Sequence, residues 1–179
     1  MRVPILGVAT LVLASVCVSP AFGQEVTREE VEGIRNFARV GTTIACAGAI
    51  TAEAVPEIAR MGFASIINLR LADERGNDVE GARAAADAAG IRYIHIPWDG
   101  SDDPAVAKQF LDVILGSGTE PAFVHCAGGG RAASMWLIKR IAGDHWDVER
   151  ATEEAIALGA TNQRMREFAI RYAQANHRM

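Results

Sequence analysis

Residues 121–131 read PAFVHCAGGGR, and AASMWLI follows directly. The apolar run 121–125 has the length and character of a buried strand, the glycines make a turn, and a helix is predicted from Arg131 to about Ile141. A strand handed through a glycine turn into a helix is the unit of a parallel sheet with right-handed crossovers. Three consecutive glycines also let backbone N–H groups from Ala127, Gly128, Gly129, Gly130 and Arg131 converge into an anion-binding nest, with the helix N-terminus behind it. Arg131 can clamp such an anion through two parallel hydrogen bonds. Cys126, at the mouth, stands where a thiolate nucleophile would be stabilised by the same donors. Taken singly, Cys126 is also a common small core residue and the glycines a plain turn; the combination with an arginine at the helix start favours chemistry.

Working outward, the chain alternates helix and strand patterns without an internal repeat or long linker. Thr27-Arg28-Glu29-Glu30 forms a capping box, and Val31, Ile34, Phe37 and Ala38 follow at helical spacing, predicting a helix stopped at Gly41. A strand is expected at 43–46, a helix from Thr51 or Val55 to Gly62, and a buried strand at 63–69 (FASIINL). An alanine-rich helix follows over 79–89, then a strand at 91–96 (IRYIHI). Asp103-Pro104 is an N-cap with proline at the first helical position, opening a helix to about Leu115. Asp147 and Thr161 open the last two helices, the final one carrying Met165, Phe168, Ala169 and Tyr172 on one face. The fold class is therefore α/β, with three layers and a mostly parallel central sheet flanked by helices. In such sheets ligands gather at the carboxyl ends of the strands, here Arg70, Trp98-Asp99 and His125-Cys126.

The 179 residues are 50% apolar and 22% charged, enough for one compact core without metal or disulfide staples. A net charge of −4 argues against a dedicated nucleic-acid binder. Residues 1–23 read as a secretory leader: Arg2, an apolar run over 3–18, Pro20, then Ala21-Phe22-Gly23 as a cleavage site. Residues 24–179 are then a single exported domain, periplasmic or secreted, expected to be a monomer without stable membrane insertion. It retains Cys46 and Cys126, which an oxidising compartment would allow to pair or to remain as one structural and one reactive thiol.

The HCAGGGR loop, Ala47-Gly48 before the helix at Thr51, Ile66-Ile67-Asn68-Leu69-Arg70 with Glu74, and Tyr93-Ile94-His95-Ile96-Pro97 together carry a resemblance over nearly all of this domain. The chain resembles the cysteine-based dual-specificity-like protein tyrosine phosphatase superfamily. It is most similar to the small bacterial group with a β-lactamase-hydrolase-like phosphatase domain. The resemblance implies a metal- and cofactor-free phosphomonoester hydrolase acting on a phosphorylated protein or a small phosphate ester. Cys126 would be the nucleophile, Arg131 and the loop amides the phosphate holders, and Asp99 the general acid. His125 would order the loop through hydrogen bonds, and Arg70 would be either a positioning residue or a loop anchor. Asp102 and Asp103 compete for the acid role, Asp103 being also a helix cap. Four residues, rather than the superfamily's usual five, separate Cys126 from Arg131. That is also the loop length of rhodanese-type sulfurtransferases, which need no acid. Ala132 replaces the usual Ser or Thr after the arginine, so a non-catalytic anion-binding module is a third reading.

Other signals carry less. Gly128, Gly130 and Ala133 satisfy a dinucleotide fingerprint on the last strand, but no acid ends a strand about 20 residues on. No Lys-Ser/Thr follows the glycines, and His125-Cys126 lacks zinc-ligand spacing, so no metal is expected.

Overall fold

The computed structural model describes residues 25–176, so the predicted leader lies outside the described residues. Six strands form one mixed sheet: β1 (Val26–Val31), β2 (Ile34–Val40), β3 (Ile44–Ala47), β4 (Ser65–Asn68), β5 (Arg92–His95) and β6 (Ala122–His125). Their spatial order is β1-β2-β3-β6-β4-β5, with β3, β6, β4 and β5 parallel and the β1–β2 hairpin antiparallel at one edge. The helices are α1 (Val55–Arg60), α2 (Val79–Ala89), α3 (Pro104–Ile114), α4 (Gly130–Ile138), α5 (Val148–Leu158) and α6 (Gln163–Ala175). A 3₁₀ turn (Ala52–Ala54) precedes α1, and a π-helical turn (Lys139–Gly143) extends α4.

Strand alternation sorts the core into two apolar layers. Ile44, Cys46, Ile67 and Val124 face α3, α4, α5 and α6, whereas Ala45, Ile66 and Phe123 face α1 and α2. Phe123 anchors the second layer, stacked on Phe37 at 5.9 Å and edge-on to Phe63 at 5.6 Å. Between the sheet and the outer helices, α4 is buried along nearly its whole length. The cysteine loop is thus rooted at both ends in the core, in the central strand β6 and in α4.

The helix predicted from the Thr27 capping box is instead the hairpin β1–β2. Gly33 adopts φ +74° in its two-residue turn, and a glycine inside a helix there would cost about 1 kcal/mol. Pairing decides the matter. Ala38, Arg39 and Val40 bond to Cys46, Ala45 and Ile44, covering an edge of β3 that a helix would leave open. The third strand ends at Ala47 rather than Cys46, and Asn162, not Thr161, caps α6. Asp103 caps α3 and Asp147 caps α5 through their side chains, as expected.

Candidate active site

Cys126 leaves the end of β6 on the side of Val124, whereas His125 lies on the opposite side, its ring 6.3 Å from that of Phe123. The Cys126 N–H donates to Ala47 O at 3.1 Å, which prolongs the β3–β6 ladder into the loop. The next two carbonyls point away from the sulfur: Ala127 O accepts from Ala49 N–H (3.2 Å) and Gly128 O from Asn36 Nδ2 (3.0 Å). Gly129 then turns at φ +100°, a conformation that only glycine adopts without strain, and caps α4. Its N–H donates to Cys126 Sγ at 3.1 Å. Buried sulfur, inward amide and helix N-terminus come together here, the arrangement expected of an anion cradle.

Arg131 closes the cradle by joining three loops. Its Nη1 donates to Glu74 Oε1 (2.6 Å), to Leu69 O (3.2 Å) beyond β4 and to Trp98 O beyond β5, while Nη2 reaches Glu74 Oε2 at 2.9 Å. The pair is bidentate, the geometry in which a guanidinium is best held. Burial opposes charge on Glu74, but hydrogen bonds from Arg131, the Leu71 N–H and Arg70 outweigh it and hold the carboxyl at about 2. Burial likewise opposes the Arg131 charge, and Glu74 with the Cys126 sulfur more than restores it. The guanidinium also meets the Cys126 sulfur, so the Glu74 pair holds it beside the thiol. Arg70 is a loop anchor: buried, it binds Glu74 (3.2 Å), Gly76 O (2.9 Å) and Arg75 O (2.7 Å), and so fixes the segment that presents Glu74.

The three candidate acids separate. Asp102 is paired with Arg171 at 2.7 Å, and Asp103 is spent on the Ala105 and Val106 amides of α3. Asp99 is exposed and has no ion pair among the described residues. Hydrogen bonds from Ser101, its side chain and its N–H (2.8 Å), hold the Asp99 carboxyl below the usual range. It follows Trp98 directly, whose buried ring bonds Ser101 O at 2.8 Å and whose carbonyl receives Arg131. Met165 and Arg164 of α6 back this loop: a Cβ on Gly100 would meet Met165 Sδ at 3.1 Å, and Arg164 donates to Gly100 O at 3.2 Å.

The family model for the beta-lactamase hydrolase-like protein, phosphatase-like domain, matches residues 36–143, more than half of the chain and all of the cradle. This chain belongs to that family. A beta-lactamase hydrolase-like protein of Agrobacterium fabrum is 31% identical over 104 residues, covering 56% of this chain and 24% of the relative. The chain thus spans about a quarter of the length of the curated relatives it matches. Among solved structures, TpbA of P. aeruginosa in complex with pTyr is similar at 21% identity and a TM-score of 0.57, covering 89% of this chain and 91% of that one. The core catalytic domain of a PP-IP phosphatase from S. cerevisiae, in complex with citrate, is similar at 17% identity and a TM-score of 0.62, covering 80% and 88%. These likenesses establish the fold.

Within the phosphatase-like domain, Cys126, the loop amides and Arg131 come together as the sequence predicted, and Trp98 brings Asp99 to their rim. His125 is buried on the far face, where its ring meets the loop at the Cys126 backbone without a hydrogen bond of full geometry among the described residues. Burial, then the nearby charges of Arg70, His95 and Arg131, push its pKa down to about 3, only slightly offset by the Cys126 peptide, so it is neutral. Cys46 and Cys126 are both free thiols. Cys46 lies opposite Val124, two residues short of Cys126, and burial, then the Cys126 charge, push its thiol well up. Sequence reading placed Glu74 with Arg70 at this edge, as a positioning residue or an ion-pair anchor, without its Arg131 partner, and passed over Asn36 altogether; neither contact has a sequence signal, because each joins residues far apart in the chain. A cleft of about 930 Å³ between the hairpin and α1 is lined by Glu29, Glu30, Glu32, Glu53 and Glu57, whose carboxylates would repel a phosphate dianion.

Proposed function

We propose that this domain hydrolyses phosphomonoesters through a phosphocysteine on Cys126. The observation that carries the reading is the Arg131–Glu74 clamp, which holds the guanidinium beside a sulfur already held by the Gly129 N–H. The Cys126 thiolate attacks phosphorus in line. As the S–P bond forms and the P–O bond breaks, the loop amides and Arg131 hold the non-bridging oxygens, and Asp99 gives its proton to the leaving oxygen. Asp99, now a carboxylate, takes a proton from water, which attacks phosphorus and returns phosphate and the free thiolate. Arg131 and the amides supply the positive charge that this step requires. Ala132 provides no hydroxyl to the departing thiolate, so breakdown of the phosphocysteine is the slow step. TpbA in complex with pTyr supports an aryl phosphate as the first substrate class to try.

The test is a pair of assays on the reduced domain, one for aryl phosphate hydrolysis and one for sulfur transfer from thiosulfate to cyanide. Phosphate release lost in Cys126→Ser is the expected result; sulfur transfer alone, or silence in both assays, overturns the proposal. The leader pattern of residues 1–23 supports an exported domain starting at Gln24, which the proposal takes as a monomer. Amino-terminal sequencing of the protein recovered outside the cytoplasm, and its mass in solution, test both.

A further inference from the structure

Asn36 is exposed in the middle of β2, yet its backbone is left-handed at φ +49°. Left-handed non-glycine residues are uncommon, and they concentrate where surrounding structure demands them. The strand register shows the reason. Val31 faces Ile34 and Glu29 faces Phe37, so Arg35 and Asn36 together oppose the single Glu30. This is a β-bulge, a device that re-aims a side chain. Here the bulged side chain leaves its own sheet partners and donates to Gly128 O, 92 residues away, at 3.0 Å.

Gly128 O and the Gly129 N–H belong to one planar trans peptide, so they point in opposite directions. Holding the oxygen outward turns the amide inward, and that amide is the one found 3.1 Å from Cys126 Sγ. The preceding peptide is held the same way by Ala49 N–H on Ala127 O. Gly128 has no side chain to resist rotation, and a Cβ there would meet nothing within 4 Å, so its orientation rests on backbone pairing with Gly48 and on the Asn36 bond rather than on side-chain packing.

We propose that Asn36 is a positioning residue for the cysteine loop, holding the Gly128–Gly129 peptide so that its N–H faces the Cys126 sulfur. The inference rests on the reading of Cys126 as the reactive thiol, not on which reaction that thiol performs. The other charged and titratable groups of the site are unchanged by the substitutions below: Arg131 on α4 with Glu74 beyond β4, Cys46 on β3 with Glu154 of α5 near it, Asp99 beyond β5 with Arg164 of α6 near it, and neutral His125 on the far face. Because the contact is exposed, water can replace Asn36 at the carbonyl, and the effect is on orientation rather than on folding.

The test uses Asn36→Gly, which keeps the left-handed backbone and removes the donor, and Asn36→Asp, which replaces the donor with an acceptor facing the carbonyl. Iodoacetamide alkylation of Cys126 is followed across pH, with thiolate absorbance at 240 nm and thermal melting on the same samples. Expected is a displacement of the alkylation profile toward alkaline pH, lowering the rate on its acid limb about threefold in Asn36→Gly and further in Asn36→Asp, with the melting temperature of Asn36→Gly retained. A wild-type profile in both variants overturns the proposal, as does a lowered melting temperature of Asn36→Gly with an unmoved profile. A displaced profile in a protein that never hydrolyses aryl phosphate upholds Asn36 and overturns the phosphatase reading alone.

Discussion

The cysteine loop and the loop that carries Asp99 meet at one side chain, Arg131, yet they are built on opposite terms. In the cysteine loop nearly every group is committed: carbonyls outward to Ala49 and Asn36, an amide inward to sulfur, and both ends in the core. In the second loop Trp98 is held by Arg131, Gly100 by Arg164 and Asp102 by Arg171, while the acid between them is left open. Asp99 stands in solvent, held by Ser101 in a state that favours its charged form. Stabilising charge on the transferring phosphoryl group requires donors fixed before substrate arrives, since reorganising them would consume the gain. A proton donor has the contrary need. It must be able to exchange with water between turnovers, and a bound phosphate dianion nearby raises its affinity for a proton.

Arg131→Lys attacks the fixed side most directly. It keeps the charge but loses the fork that Glu74 and the anion share, and kcat/KM for an aryl phosphate is expected to fall about 10²–10³-fold. A fall below tenfold would mean that charge alone suffices and that the clamp geometry is incidental. Asp99→Asn probes the open side. A drop of about 10² in kcat is expected for a poor leaving group and much less for a good one. Asp99 must be protonated to act, and its carboxyl is held low, so the wild-type rate falls as pH rises. That alkaline decline should vanish in Asp99→Asn, and its persistence would remove Asp99 from the mechanism.

Two glycines sharpen the contrast within the rigid loop. Gly129→Ala forces a side chain onto φ +100° and should cost about 1–3 kcal/mol in urea unfolding. Gly128→Ala enters open space and should cost no more than about 0.5 kcal/mol; equal costs would show that the turn is not what demands glycine. The smallest effect concerns acid. Glu74 is held at about 2, below its value in an unfolded chain, so its share of stability is present above about pH 4.3 and is lost as pH falls toward 2. Melting curves between pH 5 and 2 should be steeper for the wild type than for Glu74→Gln.

Where a local pattern and its structural consequence lie in the same few residues, the sequence was readable. Asp103-Pro104 capped α3, the alanine run gave α2 at its observed bounds, and HCAGGGR gave the cradle. Asp103's cap, visible from spacing alone, was found as expected. The hairpin was misread because the capping box and the spacing of Val31, Ile34 and Phe37 are local, whereas the bonds to β3 that outweigh them are not.

The sequence by itself therefore determined the alternating α/β architecture and the strand, glycine turn and helix start that set Cys126 close to Arg131, because strand, turn and helix-cap preferences act over a few residues. Tertiary structure decided what those groups are joined to. Glu74 meets Arg131 across 57 residues and Asn36 meets Gly128 across 92. Nothing in either neighbourhood of the chain announces its partner; the contacts exist because a parallel sheet brings the ends of β3, β4 and β6 to one edge.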